Sequence, residues 1–135
     1  MKVTSKWIGG YVSETDNGRS HRVAVDMPPA KGGTDTAPTA LELSVMSLAG
    51  CITTIFVTMA RKRKWEFQAM TVELDAEQPP GAPTVDRIRG RFIIRTKASR
   101  DEVETTLRLV LHECPVGVLF EKAGIVPDLE IRIEG

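Results

Sequence analysis

Thr39-Ala40-Leu41-Glu42-Leu43-Ser44-Val45-Met46-Ser47-Leu48-Ala49-Gly50-Cys51-Ile52, continuing as Thr53-Thr54-Ile55-Phe56-Val57-Thr58-Met59-Ala60, is the stretch whose reading decides the fold. Thr39 and Glu42 have the spacing of a capping box, which fixes a helix start near Ala40. From there Leu41, Val45, Leu48, Ile52, Ile55 and Met59 recur at helical spacing. They form one apolar stripe over about twenty residues, or ~30 Å at 1.5 Å per residue. A neighbouring face carries the small side chains Ser44, Ser47, Cys51, Thr54 and Thr58, which let another backbone come close. Leu43 to Ala60 carries no charge and is followed by Arg61-Lys62-Arg63-Lys64, the profile of a membrane span with a positive flank. Ser44, Ser47, Gly50, Thr53, Thr54 and Thr58 interrupt that run, so the reading adopted is a helix buried within a soluble fold, with no membrane partner.

On the N-terminal side the chain reads as strands and turns. Lys2 to Ile8 leads into Gly9-Gly10, and Asp16-Asn17-Gly18 leads into Arg22 to Met27, which predicts a hairpin or meander. Pro28-Pro29 ends it, and Lys31 to Pro38 is a loop of turn-tolerant residues. On the C-terminal side Met70, Val72 and Leu74 alternate with polar residues, and Ile88, Phe92 and Ile94 lie in a second such run, so a long hairpin is expected. Ser99-Arg100-Asp101-Glu102 is a second capping box, followed by the stripe Val103, Leu107, Val110 and Leu111. Pro115 stops that helix and opens a short one, whose stripe is Val116, Leu119, Phe120 and Ala123. Leu129, Ile131 and Ile133 alternate as a last strand.

The whole is an α+β pattern of antiparallel sheets and one long central helix, in a chain of 135 residues that fits a single domain spanning 1–135. Lys plus Arg is 18 and Asp plus Glu is 18, so the charge balance offers nucleic acid nothing to bind. The N-terminus has no apolar segment behind its charge, which predicts a cytoplasmic, reducing location. In that setting the cysteines, Cys51 and Cys114, have no disulfide-scaffold role and point to chemistry. Cys51 lies mid-helix. Cys114 precedes Pro115 and so stands at a helix N-cap, where free N–H groups favour an anion and predict a lowered thiol pKa. Each is equally readable alone as a small buried residue. As a pair they fit an attacking and a resolving thiol. His112, Cys114 and Cys51 match no strong zinc spacing, and no phosphate loop or dinucleotide fingerprint is present, so neither metal nor cofactor is expected.

The stretches Val25-Asp26-Met27-Pro28, Gly32-Gly33, Ala37-Pro38-Thr39-Ala40-Leu41-Glu42-Leu43, Leu48-Ala49-Gly50-Cys51 and His112-Glu113-Cys114-Pro115-Val116 resemble the osmotically inducible protein C and organic hydroperoxide resistance (OsmC/Ohr) family, in its OsmC-like branch. The resemblance implies an α+β fold, and an intertwined homodimer with the central helices packed between sheets and two active sites at the interface. It implies that Cys51 is the peroxidatic thiol and Cys114 the resolving one, that the substrate is an organic hydroperoxide, and that an external dithiol is the reductant. It also implies an arginine and a glutamate beside the thiolate. The family's arginine follows a Gly-Gly pair, where this chain has Gly9-Gly10-Tyr11, so Arg19 and Arg22 become the candidate cations. Glu42 is the candidate glutamate, although its cap role explains it equally well. Helical position suggests Leu48, Ile52, Phe56, Val118 and Phe120 as an apolar lining. The rival implication is a member of the same fold that binds an apolar or thiol ligand at the dimer interface without peroxidase chemistry. A dimeric structural protein without chemistry is the third.

Overall fold

The computed structural model describes residues 1–135. Two compact units divide the chain, Met1–Ser44 and Val45–Gly135. The first is an antiparallel meander of β1 (Thr4–Gly9), β2 (Val12–Asp16) and β3 (Arg22–Val25), in that spatial order. Gly10 sits at φ +54 in the β1–β2 turn, where a left-handed residue is needed to reverse the chain. After β3 the chain makes a 3-10 turn at Pro29–Lys31 and reaches α1 (Ala40–Lys62), whose start the capping box predicts. The box is formed: the Thr39 N–H donates to Glu42 Oε2 at 2.8 Å and the Glu42 N–H to Thr39 Oγ1 at 3.1 Å.

The loop between β3 and α1 is organised around one buried side chain that sequence patterning passes over. The carboxylate of Asp26 accepts from the Met27 N–H at 2.7 Å, from the Thr34 N–H and hydroxyl, and from the Thr36 N–H and hydroxyl. These donors, the Thr36 amide foremost and then the Thr34 hydroxyl, hold the Asp26 carboxyl well below the usual carboxylate range. A Cβ on Gly33 would fall on the carbonyl of Met27, so only glycine closes this loop.

The second unit holds the rest of α1, then β4 (Phe67–Glu77), β5 (Arg87–Thr96), α2 (Arg100–Glu113), α3 (Pro115–Lys122) and β6 (Asp128–Glu134). β4 and β5 form the expected hairpin. β6 joins the far side of β5 in parallel, which departs from the expectation of sheets that are antiparallel throughout. The physical reason is the connection: α2 and α3 carry the chain back before β6 begins, and such a crossover returns a strand in its original direction. Ser99 caps α2 through the second capping box, as its sequence predicts. The Ser99 N–H and hydroxyl, with Arg63 nearby, keep the Glu102 carboxyl below its ordinary value.

The core of this unit is built from Leu48, Ile52, Phe56 and Ala60 of α1, Ile88, Phe92 and Ile94 of β5, and Val103, Leu107 and Val110 of α2. Phe56 lies 4.6 Å from Phe92 and meets Phe67 edge-on at 6.4 Å, centroid to centroid. The buried stripe of α1 is therefore narrower than and rotated from the expected one. Leu41, Val45, Ile55 and Met59 are only half-buried, and 22% of the apolar stretch is buried at all. Within this chain α1 is buried along one side only, which is less than the expected helix buried within a soluble fold. In α3 the expected stripe fails too, with Leu119 65% exposed and Gly117 the buried position.

The other face of the β4–β5–β6 sheet is a charge lattice. Arg87, Arg89, Arg91 and Arg95 of β5 stand opposite Glu77, Asp75 and Glu73 on one side and Asp128, Glu130 and Glu134 on the other. Arg91 pairs with Glu73 and Arg95 with Glu134, all partly exposed.

Candidate active site

Cys51 lies midway along α1 and is half-buried; Cys114, at the junction of α2 and α3, is fully buried. Both are free thiols. The fold brings them together: Cys51 is close enough to the Cys114 thiol to help raise its pKa. Local sequence explains the second position. Pro115 cannot continue α2, so the chain turns at Cys114, which closes α2 through its N–H to the Val110 carbonyl at 2.8 Å and opens α3 as its N-cap. Its Sγ accepts from the Gly117 N–H at 3.3 Å, the bond that an N-cap side chain makes.

The pKa that follows is the reverse of the one expected from the N-cap alone. Burial pushes the Cys114 thiol up, the hydrogen bond to Cys51 adds to it, and the amides of Gly117 and Val116 oppose both without prevailing, so the group is raised to about 11. A helix N-terminus favours an anion, but two amide donors do not replace the water that a thiolate loses on burial. Cys114 therefore remains protonated at neutral pH, and Cys51 is the more exposed of the two thiols.

Each of the remaining candidates has its own local setting. Glu42 is engaged by the α1 cap. Arg19 is exposed in the β2–β3 turn, where its N–H donates to Asn17 Oδ1 at 3.2 Å. Arg22 is exposed on β3 and pairs with Glu14 at 3.3 Å. Both arginines belong to the Met1–Ser44 unit and both cysteines to the Val45–Gly135 unit. Leu48, Ile52 and Phe56 are core residues with no exposed surface, so they cannot line a pocket; Val118 and Phe120 are half-buried. His112 is exposed in the last turn of α2, where a helix end favours positive charge. The residue missed by sequence reasoning is Gly117, which touches Cys114 through its backbone. The signal available for it was its place three residues beyond an N-cap, where the accepting N–H lies.

The model of the OsmC-like protein family matches residues 33–130, which include both cysteines and the loop that leads into α1. Protein YhfA of Escherichia coli strain K12 is 25% identical over 126 residues, covering 91% of each chain. Among solved structures, the OsmC-like protein of Mycoplasma pneumoniae superposes with a TM-score of 0.83 at 12% identity, covering 99% of this chain and 96% of its own. One from Legionella pneumophila, described as an organic hydroperoxide resistance protein OsmC, gives 0.71 at 13% identity, with 98% and 97% covered. At such identities the superpositions speak for the fold.

Proposed function

The chain belongs to the OsmC-like protein family, and on that premise we propose that it is a thiol-dependent peroxidase that reduces organic hydroperoxides. The observation that carries this reading is the juxtaposition of a half-exposed thiol, Cys51, with a buried, protonated one, Cys114. In the first step the Cys51 sulfur attacks the distal peroxide oxygen; the S–O bond forms, the O–O bond breaks, and the alkoxide takes up a proton and leaves as an alcohol. In the second the Cys114 sulfur attacks the Cys51 sulfenic acid; the S–S bond forms, the S–O bond breaks, and hydroxide leaves with the Cys114 proton as water. An external dithiol then reduces the disulfide by exchange. The choice of organic peroxides rests on the relative from Legionella pneumophila, described as an organic hydroperoxide resistance protein.

The working unit in this reading is a homodimer. An α1 whose apolar stretch is 22% buried leaves a large apolar surface in water, and a second copy covers it at least cost. A cation beside Cys51 completes the chemistry. Of the two candidates Arg19 is favoured, because Arg22 is already paired with Glu14.

The test is single-turnover consumption of cumene hydroperoxide. The wild type consumes it and forms the Cys51–Cys114 disulfide, Cys51→Ser loses the reaction, and Arg19→Ala slows it more than Arg22→Ala. Consumption that survives Cys51→Ser unchanged overturns the reading, and a wild type that binds the peroxide without consuming it points to the ligand-binding alternative.

A further inference from the structure

Gly117 touches the Cys114 sulfur in two ways. Its N–H donates to Sγ at 3.3 Å. Its missing side chain permits that close approach: a Cβ there would stand 3.2 Å from the Leu111 carbonyl oxygen, 3.3 Å from Cys114 Cβ and 3.5 Å from Sγ. Gly117 is itself buried, and on its other side it forms part of the wall of a cavity of about 130 Å³ with Leu111, Val126 and Pro127. The backbone that holds the thiol is thus packed closely at the junction of α2 and α3, and only a glycine fits there without displacing a neighbour.

The geometry points to Gly117 as a positioning residue for the resolving step, in which its N–H holds the Cys114 sulfur in place for its attack on Cys51 and its bare Cα lets that donor lie against the sulfur without crowding the turn. The inference rests on the peroxidase reading for the identity of the steps, and it concerns the second step alone. As its proton departs Cys114 gains negative charge, which it gives up when its electron pair forms the S–S bond, and a buried thiol has little water to help in between. A fixed amide donor already in contact needs no reorganisation at that moment. A methyl group on residue 117 crowds the Leu111 carbonyl and Cys114 Cβ, and so displaces the sulfur without removing the donor.

Two variants separate these contributions. Replacing the peptide bond before Gly117 with an ester removes the N–H and adds no atoms, and Gly117→Ala keeps the N–H and adds the Cβ. In a single turnover with cumene hydroperoxide, both variants form the Cys51 sulfenic acid at the wild-type rate and accumulate it, seen as the mass of its dimedone adduct. Disulfide formation slows about tenfold in each, corresponding to one ordinary hydrogen bond or one crowded contact. The spectroscopic companion is the infrared S–H stretch of Cys114 in a Cys51→Ser background, which moves in the ester variant and not in the wild-type backbone. If either variant closes the disulfide at the wild-type rate, the inference is overturned for that contribution. If the wild type forms no sulfenic acid, it is the peroxidase reading that falls. Should the ester chain fail to fold, Gly117→Ala still decides the question of room, and the S–H stretch of that variant reports the amide contact it retains.

Discussion

Asp26 and Cys114 are the same device built in two places. Each is a buried acidic side chain held by backbone N–H groups, yet one is locked as an anion and the other as a neutral thiol. Asp26 receives five hydrogen bonds, three from amides and two from hydroxyls, and its charge is fully solvated by the loop that it organises. Cys114 receives a 3.3 Å amide bond from Gly117 and shares its remaining capacity with another thiol. The difference teaches that a protein amide stabilises an anion only when enough of them arrive together. Below that number, desolvation wins and the proton stays.

The comparison is broken most severely by destroying the loop that delivers Asp26's donors. Gly33→Ala places a methyl on the Met27 carbonyl, and the expected loss is about 3 kcal/mol of unfolding free energy, read from urea denaturation. Asp26→Asn tests the charge itself. A carboxyl whose folded pKa is depressed contributes stability above its unfolded value, and that contribution drains away as pH falls from about 4. The variant is therefore less stable at neutral pH and shows a flatter acid limb in thermal melts between about pH 5 and pH 2. On the other side of the comparison, a thiol raised to about 11 has roughly one part in ten thousand as thiolate at pH 7. Iodoacetamide applied to the native protein at that pH is expected to label Cys51 and to leave Cys114 unmodified until urea unfolds the chain, as peptide mass mapping will show. Cys114→Ser keeps an N-cap acceptor in place of the sulfur, so its unfolding free energy should stay within about 1 kcal/mol of wild type. Arg91→Ala supplies the lower limit. It strips a carboxylate, Glu73, of its partner in a setting where water takes over, and the cost should be about 0.5 kcal/mol, close to the resolution of a denaturation experiment.

What was legible in the sequence was whatever is decided within a few residues. Thr39 with Glu42, Ser99 with Glu102, and Pro115 after Cys114 fix three helix starts without knowledge of the rest of the chain, and they give both cysteines their addresses. The Asp26 hub was not legible, because its donors at Thr34 and Thr36 converge only after the Pro29–Lys31 turn has folded the loop back. The sign of the Cys114 shift was hidden for a similar reason. The N-cap is local and the amide is local, but the burial and the neighbouring Cys51 come from an element far away in the chain. The parallel pairing of β6 and the half-exposed sides of α1 belong to the same class, since they depend on where a helix or crossover comes to rest rather than on its own pattern.

The hydroxyls of α1 show how far residue names stand from surface chemistry. Ser44 donates to the Ala40 carbonyl at 3.0 Å, Thr53 to Ala49 at 3.0 Å, Thr54 to Gly50 at 2.9 Å and Thr58 to Thr54 at 2.9 Å. Each carries its acceptor along within the helix, so none requires a solvent molecule to replace it when the surface is covered. To anything that approaches this side of α1, these residues behave as small apolar knobs of nearly uniform height, and what look like breaks in a greasy segment are punctuation on paper only.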